Sequence, residues 1–249
     1  MEYRKCNDEN LILKYQKYYS KINGGIDGYY EKTILSSDIY EVIDQSIVAY
    51  FSIHTTRGLT SLYVLEQHNA SYDNIFNFVI TLPLFSNILF TGNDIQFLNH
   101  IQKSGIHFEI QAYNFIDTKP IVSLIKMKQT TKIDHDRIMN KFVDFIEYND
   151  IQLGKIESFI YEVNNEIISF GAIEPLRLND NRYCISMIVN ESHREKGLGT
   201  ETVKYLVEYL QNKNLECNAR CYVHNEASRK TLLKSGLMIS NLLYKAEKS

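Results

Sequence analysis

A chain of 249 residues, 44% of them hydrophobic and 12% aromatic, can bury one large core or two of ordinary size. A net charge of −3 provides no basic footprint for nucleic acid, and no apolar run is long enough to cross a bilayer. Neither CxxC nor H-E-x-x-H occurs among the four cysteines and seven histidines, so no metal site is expected.

The N-terminal stretch MEYRKCNDEN carries no apolar signal core, and the expectation is a soluble, cytoplasmic protein with no nucleic-acid or membrane partner. Residues 8–20 read as a helix with Leu11, Tyr15 and Tyr18 on one side and Gly24-Gly25 as its stop. Residues 39–42 and 47–53 then read as two antiparallel strands around a polar turn, followed by a strand over 59–66. Residues 76–90, with Pro83 inside, read as a buried segment broken at the proline. A boundary is placed at Lys119-Pro120, giving domains 1–120 and 121–249.

The second half opens with a predicted strand over 121–127 and a helix from near Asp134, with Ile138, Phe142, Phe145 and Ile146 facing inward. Asp134-His135-Asp136 reads as helix capping and dipole complement rather than as a metal cluster. A hairpin over 159–173 and a strand over 183–189 follow. The helix over 198–212 places Val203, Leu206, Val207 and Leu210 on one face, the spacing of a core-facing stripe. Residues 216–223 form a strand whose Cys217 and Cys221 share a side but stand too far apart for an easy disulfide. Asn225 caps a last helix with Ser228 at its third position, Gly236 stops it, and residues 237–244 make a closing strand.

The two halves echo each other. The tetrapeptide IYEV opens the hairpin at Ile39 and sits in the hairpin again at Ile160, and Lys103-Ser104-Gly105 and Lys234-Ser235-Gly236 end two capped helices. The same order in both halves is the mark of an internal repeat. The copies differ after their third strand. In the first half that strand runs into Gln67–Asp73 (QHNASYD), which has no glycine, arginine or lysine; in the second it runs into Arg194-Glu195-Lys196-Gly197-Leu198-Gly199. A glycine-bearing turn into a helix N-terminus is an anion cradle, because the first-turn amides lack intrahelical partners and glycines let them converge. Arg194 and Lys196 add positive charge beside it. The first-half loop offers side chains and Asp73 instead.

The loop is not a G-x-G-x-x-G dinucleotide turn, a P-loop, or a serine-hydrolase elbow. The segment R-x-x-G-x-G at Arg194–Gly199 resembles the [QR]-x-x-G-x-[GA] signature of the GNAT N-acyltransferases, and Asn225, Ser228, Lys234 and Gly236 match the family's N-x-x-[AS]…K-x-G segment. The resemblance covers about residues 121–246 and implies an α/β (α+β, mixed-sheet) GNAT fold there, with the first half as a degenerate GNAT-like copy. It implies acetyl-CoA as acyl donor, no metal, and a small-molecule amine as acceptor. The backbone of Met187, Ile188 and Val189 would pair with the pantetheine arm, and the loop through Arg194, Lys196, Gly197, Leu198, Gly199 and Thr200 would hold the pyrophosphate. Asn225 and Ser228 would complete the cofactor side.

An alkyl amine with a pKa of ~10.4 is mostly protonated at neutral pH, so transfer needs proton removal. Glu174 and Glu191, at two strand ends, are the catalytic candidates; solvated strand-end carboxylates are the alternative reading. His193 and His224 read as a polar loop residue and a strand end. Many family members carry a tyrosine acid seven residues after the asparagine, where this chain has Leu232; either Tyr222 or Tyr244 substitutes, or the thiolate (pKa ~8.5) leaves without a dedicated acid. Two other readings stand beside the acetyltransferase: a non-enzymatic acyl-CoA-binding regulator, and a tandem GNAT aminoacyl transferase, which the acidic balance disfavours. Oligomeric state is open, a homodimer included.

Overall fold

The computed structural model describes residues 1–8, 10–22, 25–179 and 181–248; Gly24, half of the expected helix stop, lies outside them. The first part of the chain forms β1 (Glu2–Lys5), α1 (Leu11–Tyr19), α2 (Gly28–Leu35), β2 (Asp38–Asp44), β3 (Ser46–His54), β4 (Gly58–Val64) and α3 (Tyr72–Ile80). It continues through β5 (Asn87–Thr91), α4 (Ile95–Lys103) and β6 (Phe108–Ile116). The remainder forms β7 (Lys128–Gln129), α5 (Lys132–Tyr148), β8 (Glu157–Val163), β9 (Glu166–Pro175) and β10 (Arg182–Val189). Last come α6 (Leu198–Gln211), β11 (Glu216–Tyr222), α7 (Glu226–Lys234) and β12 (Met238–Glu247). Two compact units result: unit 1 holds Met1–Asn114, Arg177–Asn179 and Ser240–Ser249, and unit 2 holds Phe115–Leu176 and Asp180–Ile239.

The repeat seen in the sequence is a repeat of topology. In unit 1, β1 to β4 pair antiparallel in succession and β4 then pairs parallel with β5. In unit 2, β7, β8, β9 and β10 pair antiparallel and β10 pairs parallel with β11. Both hairpins turn through left-handed residues, Gln45 (φ 65°) in one and Asn164-Asn165 (φ 50° and 64°) in the other. Asparagine tolerates that region because its short side chain hydrogen-bonds locally.

Alternation along the strands sorts the side chains into layers. On β3, Phe51 faces a cluster with Leu62, Phe76, Phe90 and Phe97, while its neighbour Tyr50 faces Tyr15, Tyr19, Tyr30 and Tyr63. In unit 2, Ile138, Phe142 and Ile146 of α5 pack on Ile160 and Phe170. The stripe Val203, Leu206, Val207 and Leu210 of α6 is buried as its spacing requires. Gly171 on β9 admits that helix, since a Cβ there would stand 2.8 Å from Leu206.

One expectation is corrected, and the segment around Pro83, the closing strand and a second helix are then filled in. Residues 121–127 are not a strand, and only Lys128–Gln129 pairs with β8. The backbone amides of Ile121, Ser123 and Leu124 donate instead to the side chains of Gln211, Glu208 and Glu201 on α6, so helix side chains satisfy what a ladder would have. The 76–90 segment is the end of α3, a turn holding Pro83, and β5, because proline at 83 ends the helical ladder. The closing strand β12 pairs antiparallel with β5, from Leu243↔Thr91 to Glu247↔Asn87, and this part of it belongs to unit 1. Finally, α2 is a helix that periodicity does not announce; Asp27 caps it by accepting from the Tyr30 N–H at 2.9 Å.

Candidate functional site

The site grows from a mismatch of pairing lengths. Strand β10 is held by β9 along its length, from Tyr183↔Pro175 to Val189↔Ser169. With β11 it pairs only at Arg182↔Glu216, Tyr183↔Cys217 and Cys184↔Asn218. From residue 185 to 189 its edge toward β11 has no registered partner on that strand. Two parallel strands that part in this way expose main-chain donors and acceptors to an extended ligand arm. A cleft of about 650 Å³ occupies the opening, within the range of small-molecule sites.

At the mouth of the cleft α6 begins. Gly197 is its N-cap, in the left-handed region at φ 77°, and a Cβ there would meet nothing within 4 Å. The first intrahelical bond runs from the Glu201 N–H to the Gly197 carbonyl at 3.2 Å. The amides of Leu198, Gly199 and Thr200 precede it and have no carbonyl of the helix to donate to. The missing side chain of Gly199 serves packing. A Cβ there would lie 3.1 Å from Met187 Cε and 3.4 Å from Thr231 Cγ2, so its absence lets the helix start sit close to β10. The two loop cations are tethered locally. Arg194 Nε donates to the Val189 carbonyl at 3.3 Å and its Nη1 pairs with Glu191 at 3.2 Å, while Lys196 Nζ donates to the Ser192 carbonyl at 3.2 Å.

Of the sequence-predicted donor-side residues, Met187, Ile188, Val189, Arg194, Gly197, Gly199, Thr200, Asn225 and Ser228 line this one cleft; Lys196 and Leu198 are not in its lining. Asn225 caps α7, its Oδ1 accepting from the Ser228 N–H at 3.0 Å, which leaves its amide NH₂ to donate. The catalytic candidates are placed less closely. Glu191 is 83% exposed and ion-paired with Arg194. Glu174 stands opposite Cys184 on β10, three residues before Met187. Neither lines the cleft. His193 Nδ1 is engaged with the Ser192 hydroxyl at 2.9 Å. Tyr244 belongs to unit 1, where its ring stacks on Phe90 at 5.4 Å. Tyr222 lines the cleft, under the Arg220 guanidinium at 4.1 Å from the ring centroid. Leu232 is buried.

Sequence reasoning missed Arg220, Phe145, Tyr148 and Asn149, all of which line the cleft. The last three follow a break in α5 at Phe142 (φ −134°, ψ 28°), which re-aims the end of the helix and carries no proline or glycine to announce it. The Cys221 thiol in the lining is pushed up by burial, the state of an inert thiol. Among the described residues no group of three or more His, Cys, Asp or Glu could hold a metal, and no helix is long and apolar enough to cross a membrane.

Unit 1 carries the same opening in altered form. Strands β4 and β5 register at Leu59↔Ile88, and β4 runs into a 3-10 turn, Glu66–Ser71, with no glycine. At the start of α4, where unit 2 has Asn225, the cap is Asp94, which accepts from the Phe97 N–H at 3.2 Å.

A strand hairpin, a diverging parallel pair and a helix N-terminus at its mouth are the architecture of an acyl-group transferase of the GNAT type. Residues 7–118 match the family described as "Acetyltransferase (GNAT) domain" and residues 127–237 the family described as "Acetyltransferase (GNAT) family". The chain belongs to the GNAT acetyltransferases and carries two GNAT domains in tandem. Solved structures agree in fold. A GNAT-family acetyltransferase from Colwellia psychrerythraea is 12% identical over 100% of both chains, with a TM-score of 0.86. A tandem GNAT protein from the clavulanic acid biosynthesis pathway is 9% identical over 99% of this chain and 98% of its own, with a TM-score of 0.61. A GCN5-related N-acetyltransferase from Sphaerobacter thermophilus is 10% identical over 85% and 81%, with a TM-score of 0.55. No curated protein matches the sequence.

Proposed function

We propose that the second domain transfers the acetyl group of acetyl-CoA to the amine of a small molecule, by direct attack and without an acyl-enzyme. The observation that carries this reading is the opening between β10 and β11 beyond Cys184↔Asn218, with the free first-turn amides of α6 at its mouth. Diphosphate oxygens accept from the amides of Leu198, Gly199 and Thr200, charge-assisted bonds of ~1.5–3 kcal/mol each. The pantetheine amides pair with the backbone of residues 187–189, and the Asn225 NH₂ donates to the same arm.

The acceptor nitrogen, as free base, attacks the thioester carbonyl carbon. The oxyanion that forms is held by a main-chain N–H of β10, the carbon–sulfur bond breaks as the carbonyl re-forms, and the thiolate takes a proton. Tyr222 is assigned as the donor of that proton: it lines the cleft, and Leu232 leaves no acid at the helix position. The proton lost by the amine goes to Glu174 through water; Glu191 is set aside because its carboxylate is solvated and paired with Arg194. Loss of CoA release across a panel of primary amines, with acetyl-CoA binding intact, would leave the non-enzymatic regulator in place of the enzyme. Release of free CoA that depends on both substrates supports the transferase.

A further inference from the structure

Unit 1 has a cleft of its own, about 470 Å³, at the start of α4, and its charge is the reverse of that in unit 2. Where unit 2 offers Arg194 and open amides, this cleft is lined by Asp94, Glu66 and the tyrosines Tyr18, Tyr63 and Tyr72. The one cation among its described lining residues, Lys21, is ion-paired with Glu66. A diphosphate has no seat here, since the neighbouring turn lacks glycine and Asp94 stands at the helix start.

Asp94 is the unusual member. It is 9% exposed, its two carboxylate oxygens accept from the Phe97 N–H and the Tyr18 hydroxyl, and no basic side chain among the described residues neutralises it. Burial pushes its pKa above the usual carboxylate range, as befits a carboxylate short of a counter-charge. Each carboxylate oxygen has a second lone pair to offer. Independently, the hydroxyl of Tyr72, a residue 4% exposed and in the cleft wall, has no hydrogen-bond partner among the described residues. A buried hydroxyl is seldom left so in a native structure without a reason. A carboxylate without a cation and a hydroxyl without a donor are met together by one group, an alkyl ammonium, whose three N–H bonds radiate from a single positive centre.

The geometry points to a second ligand site: the cleft at the N-terminus of α4 takes a small organic cation bearing a primary ammonium, held by the Asp94 carboxylate and the Tyr72 hydroxyl. The tyrosine rings of the wall cover its carbon chain and favour the cation electrostatically. This site does not depend on the acetyl-transfer reading, because its ligand and its residues lie wholly within unit 1.

The test uses the full chain and n-butylammonium chloride, with n-butanol as the uncharged isostere, followed by saturation-transfer NMR and tyrosine chemical shifts. Saturable binding of the ammonium, with Tyr18 and Tyr72 shifting, is expected; n-butanol binds at least about tenfold more weakly. Asp94→Asn keeps an oxygen for the Phe97 cap and so keeps the fold, and it reduces ammonium affinity about tenfold or more. Tyr72→Phe removes an unpartnered hydroxyl, leaves the melting temperature unchanged or higher, and weakens ammonium binding severalfold. Gly197→Glu in unit 2 leaves it untouched. Equal binding of n-butanol, unchanged affinity in Asp94→Asn, or no saturable ammonium binding would each overturn the assignment.

Discussion

Gly197→Glu separates the cradle's chemistry from its folding. The residue sits at φ 77°, where a side chain costs roughly 1–2 kcal/mol, yet a Cβ would meet nothing within 4 Å, so the cost is conformational and not steric. In a chain of this size that lowers the melting temperature by roughly 2–8 °C, and Gly197→Ala should share the same loss. The carboxylate adds a separate effect. At ~7 Å and an effective dielectric of ~20, each unit of diphosphate charge repels it by about 2 kcal/mol, and solvent screening at the cleft mouth halves the sum for a dianion. The remaining ~2–3 kcal/mol is roughly a 30- to 150-fold loss of acetyl-CoA affinity, measurable by isothermal titration calorimetry. Alanine should show the thermal loss with most of the affinity kept. If the glutamate variant binds acetyl-CoA as tightly as the parent, the anion does not sit at this turn.

Three further outcomes follow from other positions. Gly58, at φ 69°, stands where a Cβ would overlap the Asn87 carbonyl, so Gly58→Ala should destabilise unit 1 by more than ~3 kcal/mol in denaturant unfolding. A loss below ~1 kcal/mol would mean that the approach of the two strand ends is soft. Burial pushes the Asp134 carboxyl up, but hydrogen bonds from Thr131 and Lys128 outweigh it and hold the pKa below the ordinary value. Its contribution is therefore present above about pH 4 and lost as pH falls through the depressed value. Asp134→Ala should cost ~1–2 kcal/mol at pH 7, with parent and variant curves converging at lower pH. Tyr222→Phe should lower kcat about a hundredfold while acetyl-CoA affinity stays level; an unchanged kcat in a steady-state CoA-release assay would remove it as the acid.

What the sequence made legible was local and periodic. The stripe from Val203 to Leu210 announced α6, the polar turns announced both hairpins, and Gly197 and Gly199 marked the helix start, because each of these is dictated by a few neighbouring residues. The positions that depended on distant partners were not legible. Residues 121–127 look like a strand, yet Gln211, Glu208 and Glu201 claim their amides. The pairing of β12 with β5 joins residues some 150 apart, and no local pattern encodes it. In the site the same division holds: the glycine-bearing start of α6 was readable as a motif, whereas Arg220 and the end of α5 entered the cleft through strand register and a break at Phe142. The duplicated halves sharpen the point, since Asn225 and Asp94 occupy matching helix caps while their surroundings differ, Arg194 and Arg220 lining one cleft and tyrosines the other.

Amide-resolved NMR of the full chain during acetyl-CoA titration locates the bound donor residue by residue. The largest shifts should fall on Gly197, Leu198, Gly199 and Thr200 and continue along Met187, Ile188 and Val189, with the 66–73 turn of unit 1 unmoved. Shifts centred on that turn, or spread without a maximum at the start of α6, would contradict binding in this cleft.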